Sequence, residues 1–82
     1  MTQTEISEVT VPELGKVDQV SLVEWKVSVG DEVEKDSEVA EIETMKATFS
    51  VEAGARGVIK EILVEQGETV DLNQTLATIE SP

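Results

Sequence analysis

The sequence contains no cysteine and no histidine. Without thiols, no disulfide can staple the fold and no thiolate can hold a metal. Without imidazole, the chain lacks the commonest general base and the commonest metal ligand. Positive charge is scarce: 6 Lys and Arg stand against 18 Asp and Glu, a net charge of −12. A surface of that sign repels nucleic acid. No apolar run reaches the length that crosses a bilayer, and Met1–Ser7 is polar without a basic lead-in, so neither a membrane span nor a signal peptide is expected. These absences lead to the expectation of an intracellular, soluble domain that engages neither nucleic acid nor membrane. At 82 residues the chain is one domain, a size that buries only about 60–65% of its unfolded surface. The acidic residues are spread along its whole length. They read as a solvated surface that keeps the domain monomeric, or as a means of steering it towards basic partners.

What the chain does contain is an internal repeat. Displaced by 37 positions, Val20–Thr44 lies over Gly57–Ser81 without a gap. Identities fall at Glu24/Glu61, Val27/Val64, Gly30/Gly67, Val33/Val70, Ala40/Ala77, Ile42/Ile79 and Glu43/Glu80. Leu22/Ile59, Trp25/Ile62, Asp31/Glu68, Glu34/Asp71, Asp36/Asn73 and Val39/Leu76 are conservative matches. Both glycine-acidic pairs, Gly30-Asp31 and Gly67-Glu68, coincide as turns in which glycine takes positive φ without steric cost.

The local pattern is all-β. Val23, Trp25, Val27 and Val29 alternate with Glu24, Lys26 and Ser28, the period of a half-buried strand. In the second half Val58, Ile62 and Val64 are expected on the matching face, with Lys60 where Val23 sits. Short strands are expected at Glu32–Glu34 and Thr69–Asp71, then at Val39–Glu43 and Leu76–Glu80, with Gly54–Gly57 breaking the chain between halves. Strands at this spacing suggest a sandwich or small barrel. Two similar halves imply a quasi-two-fold axis, which places the end of each half at an opposite pole.

Lys46 lies at the junction of the halves, in Glu43-Thr44-Met45-Lys46-Ala47-Thr48. From Glu41 to Val51 the alternation would pass for one strand, yet a strand of that length would span about 35 Å, too long for this domain. The chain must fold back at Met45-Lys46, where none of the residue pairs favoured by tight hairpins stands. A broken local rule points to function; equally, a type I turn tolerates most residues and Lys46 would then be an ordinary surface lysine. The counterpart of Lys46 would fall beyond Pro82, so Lys46 is expected at the pole opposite both chain ends.

Three segments carry a family resemblance: Val11-Pro12-Glu13-Leu14-Gly15, Val23-Glu24-Trp25-Lys26-Val27-Ser28-Val29-Gly30-Asp31, and Glu43-Thr44-Met45-Lys46-Ala47. Together they resemble the lipoyl domains of dihydrolipoyl acyltransferases in 2-oxo acid dehydrogenase complexes. The likeness extends over residues 8–80, leaving 1–7 as a flexible N-terminus and 81–82 as the start of a linker. It implies a flattened barrel-sandwich hybrid of two four-stranded antiparallel sheets, with lipoate attached covalently to Lys46 at a hairpin tip. Lipoyl domains usually carry Asp-Lys-Ala at that tip; Met45 instead resembles the Met-Lys-Met of biotinyl domains, while Thr44, Ala47, Trp25 and the Pro-Glu-Leu-Gly segment resemble the lipoyl pattern. A biotinyl carrier of a carboxylase or decarboxylase, or an unmodified lipoyl-like module, therefore stays open.

The resemblance implies a carrier without catalytic residues of its own. Its partners would be a lipoate ligase or lipoyl transferase, a thiamine-diphosphate 2-oxo acid decarboxylase, an acyltransferase core and dihydrolipoyl dehydrogenase. It would act in bacterial cytoplasm or the mitochondrial matrix. Glu43, Thr44, Met45 and Ala47 around the lysine, with Glu13, Lys16 and Asp18 in the first-half surface loop, are the expected recognition residues. Among the other lysines, Lys26 and Lys60 fall inside expected strands, Lys35 aligns with Leu72 and is expected to cover apolar surface, and Lys16 in the exposed loop is the nearest competitor. The carboxylates do not suggest an enzyme. Glu41 and Glu43 share one strand face rather than oppose each other across a cleft, and Asp31, Glu32, Glu34 and Asp36 lack calcium-loop spacing.

Overall fold

A computed structural model describes residues 5–12, 19–71 and 73–81. Eight strands run in order: β1 (Glu5–Thr10), β2 (Val20–Trp25), β3 (Glu32–Val33), β4 (Glu38–Glu43), β5 (Thr48–Glu52), β6 (Gly57–Ile62), β7 (Thr69–Val70) and β8 (Thr75–Ser81). They form two four-stranded antiparallel sheets of order β1-β8-β6-β3 and β5-β4-β2-β7. The all-β barrel-sandwich reading is thus met. Strand β1 takes in Glu5–Ser7, expected to be a flexible terminus, and pairs Glu5 with Ser81, expected in a linker.

The repeat governs the detail of the fold. Exchanging β2 with β6, β3 with β7, β4 with β8 and β5 with β1 converts one sheet order into the other. Hydrogen bonds follow the same rule. Gly30 N–H donates to Ile59 O at 2.8 Å and Gly67 N–H to Leu22 O at 2.7 Å; the Asp31 carboxylate accepts from Ser28 N–H, as the Glu68 carboxylate does from Glu65 N–H. Gly30 and Gly67 have φ of 96° and 93°, the left-handed region both turns require. The first half finishes in β5 and the second borrows β1, so the N-terminal strand occupies the place that a ninth strand would otherwise fill.

The bulges are duplicated too. Ladder pairing skips Val23 in β2 and Lys60 in β6, and again skips Val39 in β4 and Leu76 in β8. An extra residue reverses which face each following side chain takes. Leu22 and Trp25 therefore both face inward although three positions apart, as do Ile59 and Ile62. This corrects the expected alternation: Val23 is the bulged residue rather than a core residue, Val29 is 60% exposed, and Val58 is an outward-facing residue on β6. The core lies between the sheets, where Leu22, Ile42, Ile59, Leu76 and Ile79 are fully buried. Trp25 packs against it and donates its indole N–H to Val64 O at 2.8 Å, so its polar atom is satisfied where the ring is half-buried.

Register also fixes the poles. Glu5↔Ser81, Glu80↔Val58 and Gly57↔Val33 mark one end of the molecule. Residues 34–37 turn there from β3 into β4, which then runs six residues, about 20 Å, towards the other end. At that far end Ser21↔Glu43 and Val20↔Val70 close the second sheet, and the β4–β5 hairpin projects beyond them.

Candidate functional site

The hairpin tip consists of Met45 and Lys46 between Thr44 and Ala47, with Glu43↔Thr48 as the last ladder pair. Both tip residues have negative φ, since Asn73 is the one described non-glycine residue with positive φ. The tip is therefore not one of the primed turns whose twist suits a two-residue hairpin. The sequence supplied a turn-former after all, and it is Thr44. Its N–H donates to Ala47 O at 2.8 Å, while its hydroxyl oxygen accepts from Lys46 N–H and Ala47 N–H, each at 3.2 Å. The same hydroxyl lies 3.2 Å from Ala47 O, to which it donates. Thr44 is 8% exposed, and among the described residues it is the one buried polar side chain.

Thr44 is thus anchored inward while its neighbours point out. Met45 is 88% exposed, and Glu43, Lys46 and Ala47 are exposed as well. The structure brings together Glu43, Thr44, Met45, Lys46 and Ala47; Glu13, Lys16 and Asp18 lie outside the described residues. Lys46 stands at the pole opposite Glu5 and Ser81, which matches the geometry expected of it.

Of the other described lysines, Lys26 and Lys60 stand in ion pairs and Lys35 lies at the opposite pole. Lys26 Nζ lies 3.3 Å from Glu24 Oε1, and that hydrogen bond, then the Glu24 charge, holds its pKa above the usual lysine value. An amine reacts only when neutral, so this pairing disfavours the reactive form. Lys60 Nζ lies 3.8 Å from Glu80. Lys35 is exposed in the 34–37 turn at the opposite pole, which corrects the expectation that it covers apolar surface. A shallow groove beside Arg56, Val58 and Lys60 also lies at that pole, away from Lys46. Among the described residues no cluster of three or more carboxylates is placed to hold a metal.

A family model described as "Biotin-requiring enzyme" matches residues 7–79. The chain belongs to the biotin/lipoyl family. Membership implies a covalently attached lipoate or biotin. Among curated relatives, the biotin/lipoyl domain is 37% identical over 73 residues to the dihydrolipoyllysine-residue succinyltransferase component of the 2-oxoglutarate dehydrogenase complex of Staphylococcus saprophyticus, covering 88% of this chain and 17% of that protein. It is 39% identical over 72 residues to the dihydrolipoyllysine-residue acetyltransferase component of the pyruvate dehydrogenase complex of Corynebacterium glutamicum, covering 87% of this chain and 11% of that one. The chain thus spans less than a fifth of the length of these relatives. The solution structure of the lipoyl domain of the 2-oxoglutarate dehydrogenase complex from Azotobacter vinelandii superposes with a TM-score of 0.71 at 29% identity, covering 88% of this chain and 92% of that one. The Kluyveromyces lactis urea carboxylase superposes with a TM-score of 0.76 at 25% identity, covering 92% of this chain and 6% of that one.

The residues present fit such a group. The tip offers an exposed primary amine, and its backbone is held by the Thr44 hydroxyl.

Proposed function

We propose that this domain is a lipoyl carrier and that Lys46 is its attachment site. The observation that carries the reading is the lysine at the summit of the β4–β5 hairpin, with Glu5 and Ser81 at the opposite pole. A tether leaving from those ends lets the loaded tip reach successive active sites while the rest of the domain stays clear. Tethering makes each encounter intramolecular, and the gain is one of effective concentration.

In the attachment step, the neutral Lys46 Nζ attacks the carbonyl carbon of an acyl adenylate. A C–N bond forms, the C–O bond to the phosphate breaks, AMP leaves, and the surplus proton passes to a base of the modifying enzyme. Lysine amines are mostly protonated at neutral pH, so that enzyme must also take the first proton. When bound, the lipoyl group supplies a disulfide–dithiol couple that accepts an acyl group and electrons together. This chain contributes position and exposure, with no catalytic group of its own. The modifying enzyme would be a lipoate ligase or lipoyl transferase. The sites visited would be those of a thiamine-diphosphate 2-oxo acid decarboxylase, an acyltransferase core and dihydrolipoyl dehydrogenase, in bacterial cytoplasm or mitochondrial matrix. The names of the curated relatives, acyltransferase components of 2-oxo acid dehydrogenase complexes, support membership of such a complex.

A biotinyl carrier is the second reading, favoured by Met45 and by the structural likeness to a carboxylase. Co-expression with a lipoate ligase and, separately, with a biotin ligase tests both. The expected result is one lipoyl group's mass, mapped to Lys46 by peptide fragmentation and lost in Lys46→Arg. Biotin on Lys46 would establish the second reading, and an unmodified protein in both cultures would end the carrier reading.

A further inference from the structure

We infer that Thr44 is the positioning residue for modification: its hydroxyl pre-forms the turn that the modifying enzyme binds. The inference rests on the carrier reading and goes beyond it, because it concerns how the lysine is presented rather than which residue is loaded.

A threonine hydroxyl has one proton and two acceptor positions, and at Thr44 all three are engaged by the tip. Lys46 N–H and Ala47 N–H occupy the acceptor side, and Ala47 O receives the proton. In a regular two-residue hairpin, the N–H of the residue after the turn would bond the carbonyl of the residue before it. Here Ala47 N–H goes to the Thr44 side chain. That substitution lets Met45 and Lys46 keep negative φ, as non-glycine residues prefer. The hydroxyl thus does the work that Asn-Gly or Asp-Gly would do in a primed turn, and it leaves the tip free to carry a methionine and a lysine.

Function enters through the second acceptor contact. The bond to Lys46 N–H fixes the backbone from which the amine projects, while the amine remains exposed. A modifying enzyme must enclose this tip to bring Nζ onto its acyl donor. If only the closed turn is bound, the apparent affinity falls in proportion to the closed fraction. Thr44 is itself largely buried, so the closed turn is held from beneath rather than by contacts the enzyme would displace.

The test compares Thr44→Val, which keeps the shape and removes the hydroxyl, with Thr44→Ser, which keeps the hydroxyl. Lipoylation by a lipoate–protein ligase with ATP and lipoate is measured under conditions where each variant is folded. Thr44→Val removes all three hydroxyl contacts at once, enough to make the open turn predominate, and should raise KM for the domain severalfold, with kcat little changed. Thr44→Ser should restore the wild-type KM. In the same samples, amide exchange at Lys46 and Ala47 should quicken in Thr44→Val while Leu22 and Ile42 keep their protection. A merely structural role would lower the unfolding midpoint and leave KM of the folded protein unmoved. Wild-type KM in Thr44→Val, or a defect that Thr44→Ser shares, overturns the inference while leaving the carrier reading intact. Wild-type domain that accepts neither lipoate nor biotin overturns both.

Discussion

Gly57 shows how much one residue can demand without any unusual backbone angle. A Cβ built there would press on the Glu80 carbonyl oxygen, and would lie 2.8 Å from Ile79 Cγ2 and 2.9 Å from the Glu80 carbonyl carbon. Two of those atoms are backbone of the neighbouring strand β8, so they cannot swing aside. Gly57→Ala should therefore destabilise the domain by about 1–3 kcal/mol, the usual cost of overpacking. Urea unfolding followed by Trp25 fluorescence would show a lower midpoint at unchanged slope; an unaltered midpoint would mean that β6 and β8 separate freely at this rung. The repeat aligns Gly57 with Val20, which is 2% exposed at the equivalent place in β2. In sequence this looks like a weak match. In space it marks a rung at which β6 leaves no room for a side chain beside β8, and a repeat by itself carries no signal of that. Thr44 was hidden for a related reason: turn chemistry is usually sought in the tip residues, and here it sits one position before them.

At the scale of elements, the duplicated turns allow a comparison that few proteins offer. Gly30 and Gly67 have nearly the same φ, and a Cβ on either meets nothing within 4 Å. Alanine at each should thus cost only the left-handed backbone penalty, about 1–2 kcal/mol, and the two costs should agree. Chemical denaturation of Gly30→Ala and Gly67→Ala would check the equality. A large disparity would mean that the halves resemble each other in shape but not in energetics. Strands β2 to β8, their order along the chain and the position of the hairpin were legible from spacing and repeat; β1 lies outside the repeat and was not. The facing of β2 and β6 was not, because a bulge shifts side-chain parity without altering composition. One clue was present: Lys60 aligns with Val23, and a lysine does not belong on a core face. Seen that way, Leu22/Ile59 and Trp25/Ile62 are the inward pairs, three residues apart instead of two. Glu5–Ser7 and Ser81 are polar or exposed, and their pairing across β1 and β8 draws them into the sheet, while the family model spans residues 7–79.

For the whole molecule, charge is the dominant unbalanced quantity. The described residues form three ion pairs, all on exposed side chains, where such pairs contribute about 0–1 kcal/mol each. Against them stand a net charge of −12 and the directly opposed carboxylates Glu24↔Glu41 and Glu38↔Glu52. Lys26 relieves the first of these by bonding Glu24. Self-repulsion should therefore destabilise the fold at low ionic strength, where the screening length is about 30 Å, and weaken at 0.15 M, where it is about 8 Å. The thermal midpoint should rise by several degrees over that range, since about 1 kcal/mol corresponds to roughly 4–8 °C in a domain of this size. On the carrier reading, acylation of Lys46 would remove one positive charge and take the net charge from −12 to −13. The loaded form should then show an equal or slightly steeper rise, because the lost charge sits at an exposed tip distant from the opposed carboxylates of the strands. A midpoint that falls on adding salt would show that the surface ion pairs outweigh the repulsion, and the acidic surface would then need a role other than keeping crowded domains apart.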